Sequence, residues 1–384
     1  MANSNLSNAK KAKNDEFYTQ FRDIQKEVEA YLEYNSNTFR DKVVYCNCDD
    51  PFESNFFRYF VLNFNRLGLK RLISTSYKPS PVANTQIGLF GDDITLEPVK
   101  GRPKITANKF IINEVGDVDG DGSFTLEDIA QQLRANKNNE WAPLEGDGDF
   151  KSDECLVLLK QSDIVVTNPP FSLFREFVAQ LEEYKKKFLI IGNQNSITLK
   201  EIFPLVKDNK IWFGNNKVKE FNKPDGTTEK FGNVGWLTNL DHGRRHQPLS
   251  LMTVSDNRKF NKKLQGKQAY EKYDNFDAIE VPFVDAIPSN YDGVMGVPVS
   301  FLDKYNPEQF EIVGLTKTWF GAATKIYPEQ IQIGEDGGKS KVTKLNDGAV
   351  LKINEPLKNK TYYIVKENLY RQTFPRLLVN YKKK

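Results

Sequence analysis

The sequence predicts an α/β fold, a doubly wound sheet of about seven strands, followed by a second, mostly β domain. Three observations predict it. Short apolar runs rich in β-branched residues alternate with amphipathic helical stretches as far as about residue 241. Beyond about His242 the rhythm changes to short alternating segments broken by Gly and Pro. Between them, Asp163-Ile164-Val165-Val166-Thr167-Asn168-Pro169-Pro170-Phe171 reads as a buried strand stopped by two prolines, which can continue neither a ladder nor a helix. In open α/β sheets such a carboxyl-end loop is where ligands are held, so Asn168 to Phe171 is the first place to look for chemistry.

Residues 1–14 lack periodicity and read as a disordered tail. A helix follows through about Tyr34, with Ile24, Val28, Tyr31 and Leu32 on one face. Residues 43–48 form a first buried strand. After Asp49-Asp50-Pro51, Ser54 caps a helix carrying Phe56, Phe57, Phe60, Val61 and Phe64, and residues 71–76 form a second strand. Strand, helix and strand at this spacing make a parallel crossover unit. From about Lys78 to Pro143 the rhythm fails, in a segment rich in Gly, Pro, Asn and Asp that reads as an insertion on the sheet. The rhythm resumes at residues 144–150, with a short helix bearing Leu156, Leu158 and Leu159 before the strand that ends at Asn168. Ser172 can cap the next helix, whose Leu173, Phe174, Phe177, Val178 and Leu181 share a face. Residues 187–192, 210–214 and 234–237 complete the sheet, and residues 277–281, 309–313 and 361–365 are strands of the second domain. The chain thus divides into the tail, a catalytic domain over 15–241 with an insertion at about 78–143, and a second domain over 242–384.

With 39% hydrophobic and 12% aromatic residues the chain can bury a core without staples. Its three cysteines cannot make an even disulfide set, and no run is long enough to span a membrane, which points to a reduced, cytoplasmic protein with no membrane partner. The net charge of +3 hides an asymmetry: residues 114–154 hold 12 acidic and 3 basic residues, residues 242–272 hold 8 basic and 2 acidic. A basic stretch of that density suits a polyanion or a solvated face.

Inside the insertion, Asp117, Asp119 and Asp121 at the first, third and fifth places, Gly122 at the sixth and Asp128 at the twelfth match a calcium loop. Asp128 is shorter than the bidentate Glu of such loops and no long entering helix precedes it, so a Gly/Asp-rich turn is the simpler reading and no metal is assigned. His242 and His246 have helical metal spacing, but Gly243 between them argues against zinc. Arg244 and Arg245 read as phosphate contacts or as solvated charge.

Asn168-Pro169-Pro170-Phe171 offers a side-chain amide oxygen, a main-chain carbonyl held rigid between prolines, and an aromatic face. Together these form a receptor for a planar ring bearing an NH2 group. Two acceptors take both amino hydrogens and draw the nitrogen lone pair out of conjugation, while the ring is pinned by stacking. That is what methylation of an exocyclic amine needs, and no strong base is required.

Here the chain resembles a known family. Asn168 to Phe171 looks like the catalytic motif of amino-methyltransferases that use S-adenosylmethionine. Residues 15–20 (DEFYTQ), 43–51 (VVYCNCDDP), 146–150 (GDGDF), 188–193 (FLIIGN), 236–240 (WLTNL) and 288–298 (PSNYDGVMGVP) are similar, in order and context, to the EcoRI-type adenine-specific DNA methyltransferases. The resemblance covers most of the chain outside the insertion. It implies a Rossmann-like, seven-stranded methyltransferase sheet with a β target-recognition domain, S-adenosylmethionine as cofactor, double-stranded DNA as partner, and a monomer. Tyr18 and Thr19 would contact the methionine end of the cofactor, and Cys46, Asn47, Asp49, Asp50 and Pro51 would line its cleft. Asp149 would accept from the cofactor adenine, and Phe150 would stack on it. Asn168 and Pro169, with Pro170, would hold the target amine, Phe171 would stack on the flipped adenine, and Trp236 would close its far side. The chain departs from the usual pattern in having no glycine-rich loop after the first strand. Two neighbouring classes share the tetrapeptide, enzymes methylating RNA bases and those methylating a protein glutamine amide; a calcium-binding module is a reading of a different kind.

Overall fold

The computed structural model describes residues 18–48, 54–76, 107–116, 138–223, 227–267 and 269–382, together with Asp128, Gln131 and the backbone of the hairpin Thr85–Ile87 and Leu96–Pro98. They fall into two compact units. The first takes the described residues up to Gln194 and Ile211–Gly243; the second takes Asn195–Lys210 and the chain from Arg244 onward. The segment 195–210 therefore packs with the second unit, although in sequence it lies inside the predicted catalytic domain.

The first unit is a mixed α/β layer structure. Its strands are β1 (Tyr18–Thr19), β2 (Val43–Cys46), β3 (Arg71–Thr75), β4 (Asn108–Ile112), β5 (Glu140–Pro143), β6 (Ile164–Thr167), β7 (Lys187–Asn193), β8 (Trp212–Lys217), β9 (Glu220–Asn222), β10 (Thr228–Lys230) and β11 (Val234–Thr238). Its principal helices are α1 (Phe21–Tyr34), α2 (Asn55–Leu62), α3 (Asp153–Gln161) and α4 (Phe174–Glu183). The large sheet runs β8-β11-β7-β6-β2-β3-β4-β5. That is eight strands where the sequence suggested about seven. Two of the eight, β4 and β5, come from inside the insertion, β4 pairing antiparallel with β3 and β5 antiparallel with β4 at the sheet edge. Strands β3, β2, β6 and β7 are parallel, and all four residues of β2 and of β6 are buried, which is why they read as unbroken apolar runs. From β2 the chain crosses to β3 on one side and later to β6 on the other, so the order reverses between β2 and β6. In open α/β sheets ligands are held at the carboxyl ends of the strands beside such a reversal.

The helices obey their sequence pattern. Helix α1 buries Ile24, Val28 and Tyr31; α2 buries Phe56, Phe57, Phe60 and Val61 and is capped by the Ser54 hydroxyl, which accepts from Phe56 N at 3.0 Å. Helix α1 also buries a charge. Glu27 accepts the N–H groups of Asn215 (2.6 Å) and Asn216 (2.7 Å), where the β8 register shifts against β11, and burial pushes its carboxyl up to about 7. Gly214 allows this approach, since a Cβ there would lie 2.2 Å from the Glu27 oxygen. Strands β1, β9 and β10 form a separate three-stranded sheet.

In the second unit, α5 (Val254–Phe260) is followed by β12 (Ile279–Glu280), β13 (Met295–Pro298), β14 (Phe310–Leu315), β15 (Gln330–Ile333), β16 (Lys339–Val342), β17 (Val350–Ile353), β18 (Tyr362–Val365), β19 (Asn368–Gln372) and β20 (Arg376–Tyr381). These make a four-stranded sheet, β12-β13-β20-β14, and a five-stranded one, β16-β15-β18-β19-β17. One core gathers Tyr273, Phe276, Leu351 and Leu378, and another Tyr327, Leu345, Val350, Tyr363 and Tyr370. Among the described residues no helix is long and apolar enough to cross a membrane.

Candidate active site

The candidate site is built from the last residues of three parallel strands. Asn47, directly after β2, is 1% exposed and sits between its neighbours: its carbonyl accepts from Thr167 Oγ1 at the end of β6, and its Oδ1 accepts from Thr75 Oγ1 at the end of β3 (3.2 Å). Thr75 in turn shares a hydrogen bond with the Tyr45 hydroxyl at 3.0 Å. The amide is thereby fixed in orientation, with the oxygen turned to the hydroxyls. Its other end, Nδ2, is buried with no acceptor among the described residues. A buried donor left open costs about 1–3 kcal/mol, so the site is complementary to a group that brings an acceptor. Thr19 points the same way. Its carbonyl accepts from Asn55 Nδ2 (2.8 Å), which ties β1 to the start of α2, while its buried Oγ1 has no partner among the described residues. Tyr18 lies beside it, half-buried.

The missing glycine after β2 has a structural answer. Cys48 adopts a left-handed backbone, φ 58°, the conformation a glycine would supply at a sharp turn, and its Sγ donates to Asn47 Oδ1 at 3.5 Å. Cys46 is buried at the end of β2; Asp49, Asp50 and Pro51 lie outside the described residues.

A second loop crosses the end of β3. Gly148, at φ 78°, is pressed so close that a Cβ would stand 2.0 Å from the Ser76 carbonyl oxygen, and this contact places Asp149 and Phe150. Asp149 is half-exposed, and its Oδ1 accepts from Lys151 N at 2.9 Å, so one carboxylate oxygen closes the turn. Phe150 is 2% exposed and packs edge-on against Phe177 of α4 at 5.1 Å. In the ligand-free chain its ring is covered and packs on α4. Gln180 of α4 donates to the Phe150 carbonyl at 3.1 Å, so α4 joins this loop to the one that follows β6.

That loop is Asn168 to Phe171. Asn168 is half-buried, Pro169 buried and Pro170 half-buried, and the Pro170 carbonyl accepts from Leu173 N (3.0 Å) to start the short turn Phe171–Leu173. Helix α4 begins only after that turn. Ser172 is exposed within it and caps nothing, because the prolines demand a turn before helical geometry can be reached. Phe171 is partly exposed and packs one side on the core of the first unit.

Two sequence candidates are placed elsewhere. Trp236 on β11 is 1% exposed, edge-on to Phe56 at 5.8 Å and part of the core of the first unit. Arg245 is 7% exposed and donates to Asn209 Oδ1 at 2.6 Å, a tie within the second unit. Arg244 is half-exposed. Asp117, Asp119 and Asp121 lie outside the described residues, Asp128 is buried, and no cluster of three metal-ligating side chains exists among the described residues. Thr75 and Thr167 were missed by sequence reasoning. Their signal is a hydroxyl at the last place of an otherwise apolar buried strand.

A sheet whose central strands end in a fixed amide donor on one side and Asn-Pro-Pro-Phe on the other defines the amino-methyltransferase class. Within it, the chain belongs to the family described as adenine-specific methyltransferase EcoRI, which matches residues 5–382. It is 44% identical over 333 residues to the type II methyltransferase M.EcoRI of Escherichia coli, covering 82% of this chain and 90% of that one. It is 36% identical to M.MpnI of Mycoplasma pneumoniae (80% and 84% covered) and 35% to M.MgeORF184P of Mycoplasma genitalium (80% and 85%), both also type II methyltransferases. No solved structure matches it.

Proposed function

We propose that this chain is a site-specific DNA adenine N6-methyltransferase that draws its methyl group from S-adenosylmethionine, as the modification enzyme of a restriction system or a solitary counterpart. The observation that carries the reading is the rigid Asn168-Pro169-Pro170-Phe171 loop at the end of β6, beside the strand-order reversal where Asn47 holds an open buried donor. The seven-stranded Rossmann-like core is read as β8 through β4, with β5 an added edge. Residues 242–384 are read as the target-recognition domain.

The residues fit the cofactor. Asn47 Nδ2 and Thr19 Oγ1 offer buried hydrogen-bonding groups, and Tyr18, Cys46, Asp49, Asp50 and Pro51 flank them in sequence. Asp149, with one oxygen used in its own turn, has the other to accept from the cofactor's adenine amine. When bound, S-adenosylmethionine supplies an electrophilic methyl group on a sulfonium.

The protein's own residues do the rest. A duplex adenine must leave the stack to be reached, at a cost of a few kcal/mol, and Phe171 offers a partly exposed ring against which it packs. Asn168 Oδ1 and the Pro169 carbonyl accept the two N6 hydrogens. Both acceptors favour the tetrahedral, lone-pair-bearing form of the nitrogen over the conjugated one, so the amine is nucleophilic before it reacts. With Asn47, Thr19 and Asp149 holding S-adenosylmethionine, N6 would take up its methyl carbon, and the surplus N6 proton would pass to water.

The test is methylation-sensitive sequencing of DNA from cells expressing the chain, with Asn168→Ala as control. One sequence motif methylated at adenine N6, absent with Asn168→Ala, is the expected result. A motif that persists with Asn168→Ala, or labelled methyl that goes to RNA or to a protein glutamine and not to duplex DNA, would overturn the reading.

A further inference from the structure

We infer that Phe374, in the second unit, is a rigidly mounted aromatic contact that packs against the bases of duplex DNA. The inference rests on the DNA reading above and adds a residue to it. Phe374 lies in the connection from β19 to β20, which belong to different sheets, and is 83% exposed. Leaving a phenylalanine in water forgoes roughly 2 kcal/mol of burial, which alone is unremarkable for a single surface residue. The mounting is what distinguishes it.

On its amino side Thr373 is 9% exposed, with both its N–H (2.9 Å) and its hydroxyl (3.3 Å) donated to the Ala349 carbonyl. On its carboxyl side Pro375 fixes its own φ, and Arg376 donates its N–H to Thr316 Oγ1 at 2.9 Å. The Arg376 side chain is 12% exposed and its guanidinium is paired in a fork with Glu280, Nη2 to Oε1 at 2.7 Å and Nε to Oε2 at 3.1 Å, with Glu280 itself 2% exposed. Tyr273 donates its hydroxyl to the same carboxylate, and Gly296 leaves room for that ring, since a Cβ there would stand 2.2 Å from the Tyr273 oxygen. A further Arg376 nitrogen, Nη1, reaches the Phe374 carbonyl at 3.5 Å. The ring thus projects from a backbone held by hydrogen bonds on both sides, so the ordering cost of that backbone is already met on folding. Exposed aromatics at ordinary loop tips are not held this way.

Charge selects the occupant. The second unit carries 26 Lys and Arg against 18 Asp and Glu, so the first, by difference from 54 and 51, is acidic. Basic residues also stand on the segments bonded to the mount: Arg371 on β19 and Lys344, whose carbonyl accepts from Gln372, whereas Lys317 beside Thr316 is ion-paired with Asp347 at 2.8 Å. An exposed apolar ring on a unit of net positive charge fits the polyanion that presents flat apolar faces between its phosphates.

The experiment uses the full chain and a duplex carrying the methylated motif. Phe374→Ala is expected to raise the DNA Kd roughly tenfold or more, in line with the loss of one stacked aromatic. The slope of log Kd against log salt stays unchanged, because no phosphate contact is removed, and cofactor affinity and melting temperature stay unchanged as well. Phe374→Trp retains affinity, and its fluorescence falls when duplex is added. Phe374→Ala binding DNA within twofold of the parent, an unquenched Phe374→Trp, or a change in oligomeric state on substitution in place of a change in DNA affinity would each overturn the inference. A parent chain that fails to methylate duplex DNA would instead remove the reading on which it rests.

Discussion

Two buried polar clusters, one in each unit, are alike in composition and opposite in bookkeeping. Around Asn47, amide, hydroxyls and main chain meet at the ends of β2, β3 and β6, and one donor is left without an acceptor among the described residues. Around Glu280, a carboxylate, a guanidinium and a phenol close on one another, and the Glu280 oxygens accept from Arg376 and Tyr273. A low-dielectric interior magnifies both conditions. The closed cluster can only hold its surroundings in place, whereas the open one gains from any molecule that brings an acceptor.

The largest effect expected from breaking this contrast is at Glu280. Glu280→Leu strands the Arg376 guanidinium in a largely buried position and should cost about 3–5 kcal/mol, read as a fall in the melting temperature of the second unit's transition. Glu27 is a third case, a buried charge served only by neighbours on its own unit. Its folded carboxyl is raised to about 7 from 4.5, so the stability it contributes is complete below pH 4.5 and is lost as pH rises through 7. Relative to Glu27→Gln, the parent should lose roughly 3 kcal/mol between those limits, measured by urea unfolding across the pH range. If both proteins show the same pH dependence, the charge is not buried in the folded chain.

Asn47→Ala should weaken cofactor binding by about 10- to 100-fold, since one to two hydrogen-bonding partners of the ligand vanish, while the melting temperature of the ligand-free chain moves little. Calorimetric titration with S-adenosylmethionine checks it, and an unaltered Kd would show that Nδ2 faces no ligand. The smallest effect belongs to Tyr273→Phe, about 1 kcal/mol of stability, because Arg376 still satisfies Glu280.

Much of this was legible in the chain. Strands β2, β3, β6 and β7 announce themselves because burial on both faces demands continuous apolar residues, and α1 and α2 because burial on one face demands a stripe. Strands β4 and β5 were hidden in the supposed insertion. They lie at the sheet edge, where β5 buries none of its residues fully and leaves no apolar run to notice. At the site, Asn168 to Phe171 stands out in the sequence because two prolines have few structural uses, whereas the burial of Trp236, Phe150 and Arg245 left no sign there. An aromatic or a basic residue has the same letters in a core as in a cleft, and only packing tells them apart. The roles of Thr75 and Thr167 depend on three strand ends becoming neighbours, a fact no local stretch contains.

The close fit of Gly148 beneath the Ser76 carbonyl has an engineering consequence. Ser76 N donates to the Asn108 carbonyl, and Leu144 N to that of Ala107, so the chain is stapled on both sides of the insertion before it reaches Asp149. Those bonds hold the strand ends and the Asp149 turn in register, so even a single methyl group added at position 148 would meet the Ser76 carbonyl and push the turn out of place.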